Sequence, residues 1–141
     1  MRQLYKESIR NGFIKGVFTL WELSKIVVPV YFFVTFLSYT PLLNSISNLF
    51  EPAMKILGLP DEAAVPLVLG NFINLYAGIG AMASISLSAK QATILGIMLS
   101  FSHSLLLESA VVRKTGVSLA LVVCIRIVLA LLSGIMFNLI L

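Results

Sequence analysis

The chain has 141 residues, 59% of them hydrophobic and only 11% charged, with a net charge of +4 and a mean hydropathy of +1.02. Soluble domains carry about 25% charged residues, so the charges here are too few to cover a water-facing surface; this argues against a soluble enzyme and leaves lipid as the solvent for most of the surface. The basic excess does not read as nucleic-acid binding, because Arg2, Lys6, Arg10, Lys15 and Lys25 all precede the first long apolar run, the usual placement of a cytoplasmic flank attracted to anionic lipid.

Residues 1–25 read as an amphipathic helix at the membrane interface. Tyr5, Ile9, Phe13 and Val17 recur every four residues with Ile14, Phe18 and Trp21 beside them, and Lys6, Arg10 and Lys15 take the other side. A cytosolic extension of the first membrane helix would show the same pattern. A basic stretch before an apolar run also opens a signal peptide, but no small-residue cleavage site follows, so a retained anchor is expected. The first spanning candidate is residues 26–46, whose length covers about 30 Å at about 1.5 Å per residue. It contains Pro29 and Pro41, each of which kinks or ends a helix.

Residues 47–59 are too short and polar to span and suggest an interfacial or re-entrant piece. Gly58-Leu59-Pro60 breaks the chain, and Asp61 and Glu62 sit where a new helix begins, favourably for its dipole. The run 63–87 is unusual because Gly70, Asn71, Asn74, Gly78 and Gly80 fall in its middle. Either it spans with a small polar face for close packing, or it is a broken or re-entrant element with Gly70, Gly78 and Gly80 at the break and its freed backbone groups facing a cavity. The third candidate, 92–112, ends in Arg113, Lys114, Thr115 and Gly116, as a helix C-terminus should. The last is 117–141, which contains the single cysteine, Cys124. No internal disulfide is possible, no Cys/His spacing suggests a metal, and no cofactor is expected.

Polar groups inside apolar runs are costly, so their placement is informative. Ser100, Ser104 and Glu108 are spaced four apart, with Thr93, Gly96 and His103 on or near the same side, giving one polar stripe. It either lines a site or pathway or joins helices by hydrogen bonds. Arg126 lies about nine residues, or about 14 Å, into the last run. It needs a partner, with Glu108 first and the Asn71 and Asn74 carbonyls second, whether as a structural ion pair or a functional one. Because an orphaned charge is the costly state, removing that partner alone should do more harm than Arg126→Leu. No arrangement resembles a catalytic triad, P-loop or metal motif, so no catalytic residue is expected.

Residues 58–116 resemble the gate domain of nucleoside-transporter-like proteins, a group that includes the nucleoside recognition domain, the bacterial spore maturation proteins A and B, and the membrane part of the ferrous-iron transporter B. The resemblance rests on Gly58-Leu59-Pro60-Asp61-Glu62-Ala63-Ala64, on the glycine-rich run 70–80, and on Ser102-His103-Ser104-Leu105-Leu106-Leu107-Glu108 leading to Arg113-Lys114-Thr115-Gly116. It implies a bundle with broken or re-entrant helices, of the kind seen in transporter halves, and a second copy or homologous partner to enclose a pathway. The expected architecture is therefore all-α and membrane-integral: an interfacial helix, 1–25, and a gate-like domain, 26–141, of about three to five hydrophobic segments. Asn71, Asn74, Ser100, His103, Ser104, Glu108 and Arg126 are the candidate lining of a path for a small polar solute or ion. The alternative is a non-transporting scaffold or a subunit of an envelope or spore-assembly complex.

Five basic residues before the first span place the N-terminus in the cytoplasm of a multi-pass inner-membrane protein. If 63–87 crosses fully, Arg2, Lys6, Arg10, Lys15, Lys25 and Lys90 lie inside against Lys55, Arg113 and Lys114 outside. If it re-enters, Arg113 and Lys114 join the first five inside, leaving Lys55 and Lys90 outside, which fits the positive-inside rule better by one charge. So small a bias also admits both orientations, and an antiparallel pair would recreate the inverted repeat of transporters.

Overall fold

The computed structural model describes residues 2–105, 108, 112 and 116–141, and among these residues it is helical with no strand. The first helix, α1, runs unbroken from Arg2–Ser38, through Pro29 and across the expected boundary at residue 25. It stops short of residue 46 because Pro41 constrains the residue before it: Thr40 is extended (φ −115°, ψ 154°), and Pro41 occupies the first turn of α2, Pro41–Leu57. Gly58, at φ 67°, closes α2 with its N–H on the Lys55 carbonyl, and the Leu59 N–H returns to the Met54 carbonyl. A methyl group on Gly58 would sit 2.1 Å from the Asn138 Oδ1 atom, so this position requires glycine on two counts, conformation and space.

Asp61 and Glu62 open a single 3-10 turn, Asp61–Ala63, that leads into α3, Ala64–Phe72. The run 63–87 does not form one helix. It divides at Ile73 and Asn74, and α4 begins beyond them as Leu75–Ala83. Each half is about 14 Å long at the helical rise, under half of a hydrocarbon core. The break is local. The Ile73 and Asn74 N–H groups both bond to the Leu69 carbonyl, and the Asn74 side chain caps α4 by accepting the Ala77 N–H at 2.9 Å. The glycines assigned to the break lie inside the two helices instead. Gly70 and Gly78 face each other, where a methyl group on Gly78 would come within 3.0 Å of the Gly70 Cα. Gly80 admits the Val27 carbonyl of α1, 2.9 Å from the place its Cβ would take. They are there for close helix contact.

Ser88 and Gln91 form a reciprocal capping box at the start of α5, Ala89–Ser102. The third candidate run, 92–112, is thus interrupted after Ser102, and the end expected at Arg113, Lys114 and Thr115 lies outside the described residues. The last helix, α6, is Leu119–Ile140. It runs antiparallel to α5: Lys90 donates to the Asn138 carbonyl at one end, and Met98 packs on Gly134 midway. Leu57, Ala64, Ile94, Leu95, Leu99 and Ala130 are the centre of the main core, contributed by α2, α3, α5 and α6. Val34, Val65 and Ala81 form a second contact among α1, α3 and α4.

Two helices among the described residues are long and apolar enough to cross a membrane, over Glu7–Leu37 and Leu119–Ile140. Neither is a buried core helix: only 6% and 11% of the respective windows lie inside the protein. Phe13, Phe18, Trp21 and Phe36 on α1, with Leu121, Leu132 and Leu139 on α6, are exposed. Apolar surface of that extent belongs against lipid rather than water, and the protein is a membrane protein.

Candidate functional site

The last carbonyls of any α-helix lack internal donors, and in an apolar environment they must find them elsewhere. In α5 this need arises in mid-run. The His103 N–H still bonds to the Leu99 carbonyl, but Ser104 turns to φ 52°, a conformation that costs a non-glycine residue about 1 kcal/mol or more. Its N–H leaves the helix and donates to the Gly70 carbonyl of α3 at 2.9 Å. The break is thereby stitched to the α3–α4 hairpin.

Arg126, from α6, supplies the missing donors. Its Nε donates to the Phe101 carbonyl at 2.8 Å and its Nη2 to the His103 carbonyl at 2.8 Å. The third nitrogen, Nη1, lies 2.7 Å from Glu108 Oε2. The planar guanidinium carries five N–H donors in a fixed fork, and here all three of its nitrogens have an acceptor. Arg126 is buried more deeply than its partner: its side chain is 17% exposed against 43% for Glu108. The other oxygen of that carboxylate, Oε1, lies 3.3 Å from His103 Nδ1. That ring nitrogen is buried and forms no aligned hydrogen bond, so the contact falls short of one.

The structure therefore brings together four of the expected site residues, His103, Ser104, Glu108 and Arg126, and pairs Arg126 with Glu108. The other part of that expectation needs correcting: the carbonyls that hold Arg126 belong to Phe101 and His103, not to Asn71 or Asn74. The polar stripe needs correcting as well. Ser100, Ser104 and Glu108 do not form one helix face, because the helix stops between the first and second of them. Ser100 is exposed and donates to the Ile97 carbonyl one turn back. Asn74 is occupied as a helix cap. Asn71 stands apart on α3, where it and Ser102 are the polar lining of an otherwise apolar cavity of about 260 Å³ walled by Phe50, Phe72, Met98 and Ile127. Sequence reasoning missed the two α5 carbonyls and the Gly70 carbonyl. The available signal was Arg126 itself, since an arginine in an apolar run needs more acceptors than one carboxylate provides.

A family model described as "Gate: Nucleoside recognition" matches residues 20–119. An uncharacterized membrane protein of Bacillus subtilis (strain 168), YvoD, is 45% identical over 135 residues, which make up 96% of this chain and 43% of that protein. The chain thus spans less than half the length of this relative. No solved structure matches it.

Proposed function

The chain belongs to the Gate, or nucleoside recognition, family, and on that premise we propose that it is a transporter-like gate module that works as an oligomer to bind or pass a small polar solute or ion. The observation that carries this reading is the break in α5. A helix opened within an apolar run, with its carbonyls held by one arginine and its next N–H held by a hairpin, is irregular backbone of the sort membranes tolerate beside protein or a polar cavity. The two short helices α3 and α4 suit a re-entrant hairpin that enters and returns on one side, with the N-terminus in the cytoplasm. The other wall of the pathway comes from a second copy, in antiparallel orientation, or from a homologous gate protein. The role is binding or passage of solute, not catalysis.

Purified protein in proteoliposomes tests the proposal. The expected result is time-dependent uptake of a radiolabelled small solute, nucleosides first, that an Arg126→Leu variant loses. Uptake no greater than in empty vesicles across nucleosides and small ions would favour the scaffold reading instead. That reading draws support from Asn74 and Ser100, whose hydrogen bonds stay within their own helices. Topology is tested separately with Ser88→Cys and Thr115→Cys. Labelling of the first from outside and the second only from inside supports re-entry, and the reverse pattern rules it out.

A further inference from the structure

The chain holds one histidine, and it stands at the break. His103 is the residue that ends α5, its carbonyl accepts from Arg126, and its Nδ1 is buried 3.3 Å from Glu108 Oε1 without an aligned hydrogen bond. A buried ring nitrogen beside a carboxylate gains a charge-assisted hydrogen bond when the imidazole becomes imidazolium. The carboxylate has an oxygen for it, since among the described residues Oε2 is committed to Arg126 and Oε1 is not. Glu108 and the remainder of the imidazole are partly exposed, which gives a proton a way in.

We infer that His103, Glu108 and Arg126 together form a proton-binding site, in which His103 takes up a proton from water and Glu108 holds the resulting cation. The inference deepens the gate reading and rests on it, because it makes the proton the ion that controls the break. The balance is simple: neutral imidazole and one proton give imidazolium, no other bond forms or breaks, and the cluster passes from net zero to net +1. Glu108 is then shared between two cations. The new charge next to the guanidinium weakens the hold of Arg126 on the His103 carbonyl, and with it the Ser104–Gly70 link that joins α5 to the hairpin.

The surroundings favour this assignment. α3 and α4 carry no Asp, Glu, Lys, Arg or His, and Arg126 is the one charged residue of α6. Lys90, the one charged residue of α5, sits at the far end of its helix on the Asn138 carbonyl. Glu22 and Lys25 of α1 are paired with each other at 2.6 Å. Tyr76 on α4 and Cys124 on α6 are the other titratable groups on α3, α4, α5 and α6, and both are exposed. Arg113 and Lys114 lie outside the described residues.

A single histidine makes the test direct, provided that the protein is purified without a histidine tag. NMR of the imidazole ring in detergent-solubilised full chain should show that ring taking up a proton reversibly as the pH is lowered. Glu108→Gln should weaken proton binding by the ring, because the cation loses its carboxylate partner. A ring that takes up no proton, or proton uptake unchanged by Glu108→Gln, overturns the site. In proteoliposomes, solute uptake should vary with pH across the range of that protonation in the parent protein and become flat in His103→Gln. The same pH dependence in both proteins overturns the control role. If the parent takes up no solute, the gate reading fails on that result, and the titration alone decides the proton site.

Discussion

Two helical runs among the described residues, 63–87 and the one that α5 begins, are broken in different ways. Between α3 and α4 the chain stops and restarts with its own local groups: Leu69 accepts the stray N–H groups and the Asn74 side chain caps the next helix. At the end of α5 the chain reaches to other helices. The carbonyls are taken by Arg126, 25 residues from Phe101 along the chain, and the Ser104 N–H by Gly70. A locally capped break persists wherever its segment goes. A break held by other helices exists only while those helices are docked, which makes the second a place where motion between helices changes backbone structure. This is the difference that supports reading the α5 break, rather than the α3–α4 turn, as the working part.

The sharpest way to break the comparison is Arg126→Leu. It removes three interactions at once and should lower stability by about 3 kcal/mol, a figure already reduced for the partial exposure of Glu108. Thermal unfolding in detergent measures it, and a melting temperature equal to the parent's would show that α5 does not depend on Arg126. Glu108→Gln should cost less, about 1–2 kcal/mol in the same assay, because Arg126 keeps both carbonyls. This order reverses the one expected from sequence, in which loss of the partner was the worse change; the arginine is not orphaned when Glu108 goes. Asn74→Ala should cost about 1 kcal/mol, the ordinary value of a lost helix cap. Its effect should simply add to that of Arg126→Leu in the double variant if the two breaks are independent. A large non-additive term would show that they act as one unit. Ser100→Ala should be smallest, within about 0.5 kcal/mol, since its hydroxyl is exposed and bonded to its own helix. A larger loss there would restore the idea of a functional polar stripe.

Much of this was legible from residue order because it depends on neighbours in the chain. The low charge and long apolar runs make a membrane protein by transfer energetics alone. Gly58 ahead of Leu59-Pro60 ends α2 through its own dihedral angles, and Arg126 announces a need for acceptors wherever its helix lies. The polar stripe was misread for the same reason. A four-residue spacing means a shared face only if the helix is continuous, and continuity past Ser102 is decided by a competition between the Ser100 carbonyl and the Gly70 carbonyl for one N–H group.

That competition is tertiary. From residue types alone, the glycines at 70, 78 and 80 look like breaks, because glycine weakens a helix; in the packed chain they are where helices meet most closely, because glycine has no Cβ to hold them apart. Likewise, sequence determined that Arg126 must be paired, since an isolated charge in an apolar run is too costly to leave alone. Only the antiparallel docking of α6 on α5 decided what it pairs with, because a side chain can satisfy carbonyls only where another helix happens to present them.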